Sequence, residues 1–179
     1  MDKMCEPVFD IIGKIRKWIE GREATLVLSS TTGRGLQQYF PLVEDSHVRF
    51  IVVVAHRIGN PRWRPFDPQI KSDVERLGGI ILHEKPLWAV RRIAPLLIAR
   101  YCVPLFGYRE KNWEELLAVG GRVCLQITEI AAKEKQIREN SVIVAVAGEH
   151  AALALKIKQV DPVKMALIDI IYRNDIQLD

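Results

Sequence analysis

Between positions 29 and 35 the chain reads Ser29-Ser30-Thr31-Thr32-Gly33-Arg34-Gly35, four hydroxyls, two glycines and one cation in seven residues. Hydroxyls donate to phosphate oxygens, glycines let backbone N–H groups approach an anion, and a guanidinium offers a forked pair of donors. A helix starting just after this segment would add the partial positive charge of its N-terminus. The chemistry implied is a grip on phosphate, with Ser30, Thr31, Thr32, Gly33, Arg34 and Gly35 as the binding residues. The segment is not a Walker loop, which needs a Gly-Lys-Ser or Gly-Lys-Thr ending, nor a dinucleotide fingerprint, which needs three spaced glycines. The competing explanation is a capped, glycine-rich turn that starts a helix and holds nothing.

A second set of polar residues falls at the ends of other apolar runs: His56 and Arg57, His83, and the turn Gly148-Glu149-His150. Imidazoles placed at strand ends can converge across a crevice for acid–base or metal chemistry. The separations of these residues carry no metal-ligand signature, so hydrogen-bonded structural histidines and no metal site are the expectation. No nucleophile elbow or paired-carboxylate motif is present. Cys5, Cys102 and Cys124 lie in apolar stretches without ligand spacing and read as small buried thiols of a reducing compartment.

The elements that must position these residues follow from periodicity. Apolar residues at helical spacing over 7–20, closed by Gly21, predict an amphipathic helix, with Trp18 on its apolar stripe. Short β-rich apolar runs at 25–29, 48–55, 80–82 and 142–147 predict buried strands. A helix is expected over 36–43, ended or bent by Pro41. Asp67 and Pro68 supply an N-cap and a first-turn proline for a helix that Gly78-Gly79 closes. Residues 86–99 and 113–119 read as helical, Gly120-Gly121 as a break, and 122–137 as a long helix. Two further strand-like pieces, 154–160 and 166–172, are separated by Asp161-Pro162. Strands alternating with helices at this spacing argue for an α/β domain with a mostly parallel sheet covered on both faces. In such sheets a ligand sits beyond the carboxyl ends of the strands, where the strand order reverses.

Composition narrows the function classes. The 179 residues fit one domain over 1–179, and 49% hydrophobic with 27% charged residues is ordinary globular usage. A formal charge of +4, spread along the chain, suits a phosphate-bearing ligand and is too scattered for nucleic acid. The opening Met1-Asp2-Lys3-Met4 shows no signal-peptide pattern, and the apolar stretch 93–106 is cut by Pro95, Arg100 and Pro104. A cytoplasmic protein with no membrane contact is expected. Trp63, Trp88 and Trp113 can stack on an aromatic ligand, though core or interface packing is the more common role.

Residues 25–36 resemble the effector-phosphate loop of the pyruvate kinase C-terminal domain, where a strand runs into a hydroxyl-rich turn and Gly-Arg. The whole chain resembles the stand-alone, mostly archaeal relatives of that domain, the pyruvate kinase α/β domain proteins. The matching pieces are Ser30-Thr31-Thr32-Gly33, Val53-Val54-Ala55-His56, His83 with Val90-Arg91-Arg92-Ile93, Arg122-Val123-Cys124-Leu125-Gln126-Ile127-Thr128, Val144-Ala145-Val146-Ala147-Gly148 and Ile168-Asp169-Ile170-Ile171. The resemblance implies a three-layer sheet of order 3-2-1-4-5 with an antiparallel strand or pair at its edge. It implies that the turns at 29–35 and 148–150 face each other across the crevice, and it associates flavin mononucleotide (FMN) or a sugar phosphate with that place. Where the family carries a turn resembling Gly-Thr-Gly-Arg-Gly, this chain has Gly148-Glu149-His150-Ala151. A carboxylate 4 Å from a phosphate costs about 1 kcal/mol even in water. Arg57, Arg62 and Arg64 either replace lost phosphate contacts or solvate a loop.

The expected function is therefore binding of a phosphorylated small molecule, such as FMN, a nucleotide or a sugar phosphate, at the loop after the first strand. No pyruvate kinase activity is expected, because a (β/α)₈ barrel alone takes about 250 residues. Two alternatives stay open: a flavin- or metal-dependent enzyme using His56 and His83, and a homo-oligomerising interaction module whose crevice is empty.

Overall fold

The computed structural model of the chain describes residues 6–46, 48–54, 65–83 and 119–173. These contain six strands: β1 Thr25–Ser30, β2 Arg49–Val54, β3 Ile80–His83, β4 Val142–Ala147, β5 Ala151–Val160 and β6 Val163–Arg173. They form one sheet of order β3-β2-β1-β4-β5-β6. Pairs among β3, β2, β1 and β4 are parallel, and β5 and β6 add antiparallel. The expected order thus holds over its five strands, and the edge is a pair. The turn at Asp161-Pro162, whose peptide bond is cis, returns β5 as β6.

Four α-helices cover the sheet among the described residues: α1 Glu6–Ile19, α2 Phe40–Ser46, α3 Pro68–Arg76 and α4 Val119–Lys133. Side chains alternate between the faces of a strand, so each central strand feeds two cores. Leu26 and Leu28 of β1, Val52 and Val54 of β2, and Val144 and Val146 of β4 meet α1, α2 and α3. Val27, Ile51, Val53, Ile143 and Ala145 face the other way, toward α4. Ile11, Ile15 and Ile19 repeat every four residues on α1 and are buried, each contributing roughly 2 kcal/mol of apolar transfer. Trp18 lies at the edge of that stripe, half-buried, and its indole N–H donates to Asp169 Oδ2 on β6 at 3.0 Å.

The structure corrects three local expectations. Pro41 does not end a helix; it is the second residue of α2, where a missing N–H costs nothing, and a short 3₁₀ turn over Gln37–Tyr39 precedes it. Gly120 and Gly121 do not break a helix but lie in the first turn of α4. A Cβ on Gly120 would stand 2.7 Å from that of Ala151, so the glycine lets the helix press against the β5 end. That helix stops at Lys133, before Ile137, through a Schellman turn. Lys135 N–H donates to Ala132 O at 3.0 Å and Gln136 N–H to Ala131 O at 2.9 Å, with Lys135 at φ 58°. Helix α3 matches its expected cap, because Asp67 Oδ1 accepts from Gln69 N–H at 2.9 Å. The expected helices over 86–99 and 113–119 lie outside the described residues apart from Val119, which opens α4.

Gly79, between α3 and β3, is where the packing tolerates least. A Cβ there would fall 2.3 Å from the ring of Phe50, which is 1% exposed. Gly79→Ala is expected to lower unfolding stability by about 1–3 kcal/mol, the usual penalty of overpacking. Phe50→Leu in the same chain should relieve part of that loss, so that urea denaturation of the double variant shows a smaller deficit than the sum of the singles.

Candidate functional site

Strand β1 lies between β2 and β4, so the chain's strand order reverses at the carboxyl end of β1. The loop 30–35 leaves from that point. Its conformation comes from a few local bonds. Gly33 N–H donates to Ser30 Oγ at 2.9 Å, and Leu36 N–H donates to Gly33 O at 2.9 Å. Gly33 itself stands at φ +89°, buried against Phe66 and Ile70 of the α3 region. Asp67 N–H donates to Thr32 O at 2.9 Å, which ties the start of α3 to the loop.

These bonds account for only part of the loop's donors. Among the described residues, the amides of Thr31, Thr32, Arg34 and Gly35 and the hydroxyls of Thr31 and Thr32 have no hydrogen-bond partner. Thr31 and Thr32 are half-buried, while Arg34 and Gly35 are exposed. Half-buried donors without partners are the arrangement in which an anion or ordered water recovers the desolvation cost.

The turn Gly148-Glu149-His150 closes the β4–β5 hairpin, with Gly148 at φ +55° and His150 N–H donating to Ala147 O at 3.0 Å. Sheet register brings it beside the loop, since Leu28 pairs with Val146 two residues earlier on each strand. Tyr39 reaches the second turn. Its ring is 2% exposed and its hydroxyl donates to Gly148 O at 3.0 Å. Burial raises its pKa above that of an ordinary tyrosine, and the thiol of Cys124 and the carboxylate of Glu149 push the same way. A buried phenol is therefore bonded to the β4–β5 turn, while Arg34 and Gly35 of loop 30–35 stay exposed. Sequence reasoning missed Tyr39. Its one signal was a tyrosine leading the apolar run Phe40 to Val43, whose hydroxyl needs a partner once buried.

Of the remaining expected residues, His83 ends β3 and is exposed. Register aligns Ser30 with Val54 and Val54 with His83, so two strand spacings, about 10 Å, separate the loop from this histidine. Glu149 is exposed and His150 half-buried. His56 and Arg57 lie outside the described residues, as do Cys5, Cys102, Trp63, Trp88 and Trp113. Cys124 is buried, donates to Ala145 O at 3.3 Å, and burial pushes its thiol up to about 12, which keeps it protonated and unreactive. No group of three or more His, Cys, Asp or Glu among the described residues is arranged to hold a metal ion. No described helix is long and apolar enough to cross a membrane.

The Tyr39 bond predicts a pH signature. A phenol whose folded pKa lies above its unfolded value of about 10 contributes stability that is complete below pH 10 and is lost as pH rises beyond it. Tyr39→Phe should cost about 1 kcal/mol at pH 7 by loss of one hydrogen bond. Above pH 10 the gap to the wild type should narrow, because the variant has no phenol to ionise on unfolding. Urea denaturation at pH 7 and pH 10.5 measures both. No protein-family model matches the chain, and no curated protein matches it significantly.

Proposed function

We propose that this protein binds a phosphate-bearing small molecule at loop 30–35, with Arg34 as the cation and the amides and hydroxyls of the loop as donors. The observation that carries the reading is the set of uncommitted donors at Thr31, Thr32, Arg34 and Gly35, grouped at the carboxyl end of the strand where the order reverses. The β3-β2-β1-β4-β5-β6 order also supports the finer reading of the fold as a pyruvate kinase C-terminal-like domain. FMN, a nucleotide and a sugar phosphate share the group this loop takes. Glu149 at the neighbouring turn disfavours a second negative group on that side. Such a protein would work in the cytoplasm as a ligand-responsive binding module.

Titration calorimetry with FMN, AMP and fructose 1,6-bisphosphate tests this. At least one of them is expected to bind the wild type, and Arg34→Ala is expected to weaken that binding tenfold or more, the effect of losing a charge-assisted bond. The melting temperature of the variant should stay within a degree or so, since Arg34 is exposed. Equal affinity of variant and wild type, or no binding by any of the three, would remove the loop from consideration.

A further inference from the structure

The opposite end of the sheet holds a second feature. Beyond the amino ends of β1, β2 and β4 lies a hollow of about 760 Å³, within the range of small-molecule sites. It is walled by the segments that precede those three strands, and its lining includes Arg22, Arg49, Arg138, Glu23, Glu139 and Ile137. Register sets Thr25, Arg49 and Ile143 in one row across the three strands, so Arg49 springs from the rim of the hollow.

Two of the three guanidinium groups are already positioned. Arg49 Nη2 donates to Gln136 Oε1 at 3.0 Å, and Gln136 Nε2 in turn donates to Glu134 O at 3.2 Å. Arg22 lies over the Trp18 ring at 4.5 Å. The Arg138 guanidinium has no hydrogen-bond or ion-pair partner among the described residues, although its carbonyl accepts from Ser141 N–H at 3.3 Å. Three arginines and two glutamates line one hollow, yet no ion pair joins them among the described residues. Glu139 instead accepts from Val160 N–H at 3.3 Å, which turns its carboxylate toward β5. Apart from Arg49 Nη2, the guanidinium donors have no hydrogen-bond acceptor among the described residues, and the lining carries a net charge of +1 from three arginines less two glutamates.

Helices α1, α2 and α4 all end near this edge, and their negative ends would oppose an anion. Most of the last carbonyls of α4 and two of those of α1 are occupied, however. Ile130, Ala131 and Ala132 accept from the amides of Glu134, Gln136 and Lys135, and Arg16 and Ile19 from those of Glu20 and Arg22.

We propose that this hollow is a separate site for a small, multiply charged anion, held between Arg49 and Arg138 with Arg22 at the rim. Its shared chemistry is two or more negative oxygens a few ångströms apart, which a polycarboxylate or a pyrophosphate group both provide. It stands independently of the loop 30–35 reading.

The test follows the Arg Nε–Hε and Gln136 side-chain amide resonances of the whole chain by NMR during titration with citrate and with inorganic pyrophosphate. Sodium chloride at equal ionic strength is the control. At least one of the two anions is expected to shift the Arg49 and Gln136 signals saturably, and Arg34→Ala should bind it like the wild type. Arg49→Ala and Arg138→Ala should each weaken it tenfold or more, and Arg138→Lys should recover part of the loss. Tighter binding of citrate would point to a polycarboxylate, and of pyrophosphate to a phosphate ester. If neither anion shifts these signals beyond sodium chloride, the proposal fails. It fails equally if the folded Arg49→Ala and Arg138→Ala variants bind as the wild type does.

Discussion

Leu26, Val27 and Leu28 of the central strand are each at most 1% exposed, and so are Phe50 through Val54 beside them. Because α1, α2 and α3 take one face of the sheet and α4 the other, consecutive residues on these strands point into two different cores. A strand buried on both faces has no position along its length for a polar side chain, since an unpaired polar group there costs about 1–3 kcal/mol. On β1 and β2 the polar side chains are displaced to the strand ends. The hydroxyls and Arg34 gather at the carboxyl end of β1, and Arg22, Arg49 and Arg138 gather at the amino ends.

The two ends differ in how their polar groups are held. At the carboxyl end the loop folds on itself: Ser30 turns back to the Gly33 amide, and Asp67 reaches Thr32 O from the start of α3. Tyr39 then fastens the β1 side to the β4–β5 turn through Gly148 O, in a spot dry enough to raise its own pKa. That bond joins two segments 109 residues apart in the sequence. At the amino end the long side chains are steadied through an amide, Gln136, and through a ring, Trp18.

Glycines mark where backbone and side chains come closest. Gly79 makes room for the Phe50 ring, and Gly120 lets the first turn of α4 lie against Ala151. Both contacts join segments distant in sequence, which is why a glycine pair that reads as a helix break turns out to be a helix start.

What the sequence by itself determined is everything carried by neighbours along the chain. The β-branched runs of β1, β2 and β4, the Asp67-Pro68 cap of α3 and its Gly78 close, and the donor-rich composition of 30–35 rest on interactions within a few residues. So does the order of elements from which a six-strand α/β sheet follows. The tertiary structure alone decided the rest. Lys133 ends α4 because Lys135 takes a left-handed conformation normally left to glycine, a choice made so that Ile137 can enter the core. Pro41 sits in the first turn of a helix, after a 3₁₀ turn that ends at the buried Tyr39. The partner of the Tyr39 hydroxyl, 109 residues away, and the meeting of Arg49 with Gln136, 87 residues apart, depend on which strands pair and in what register. No local pattern encodes that pairing, because it is set by how two cores of fixed volume are filled at once.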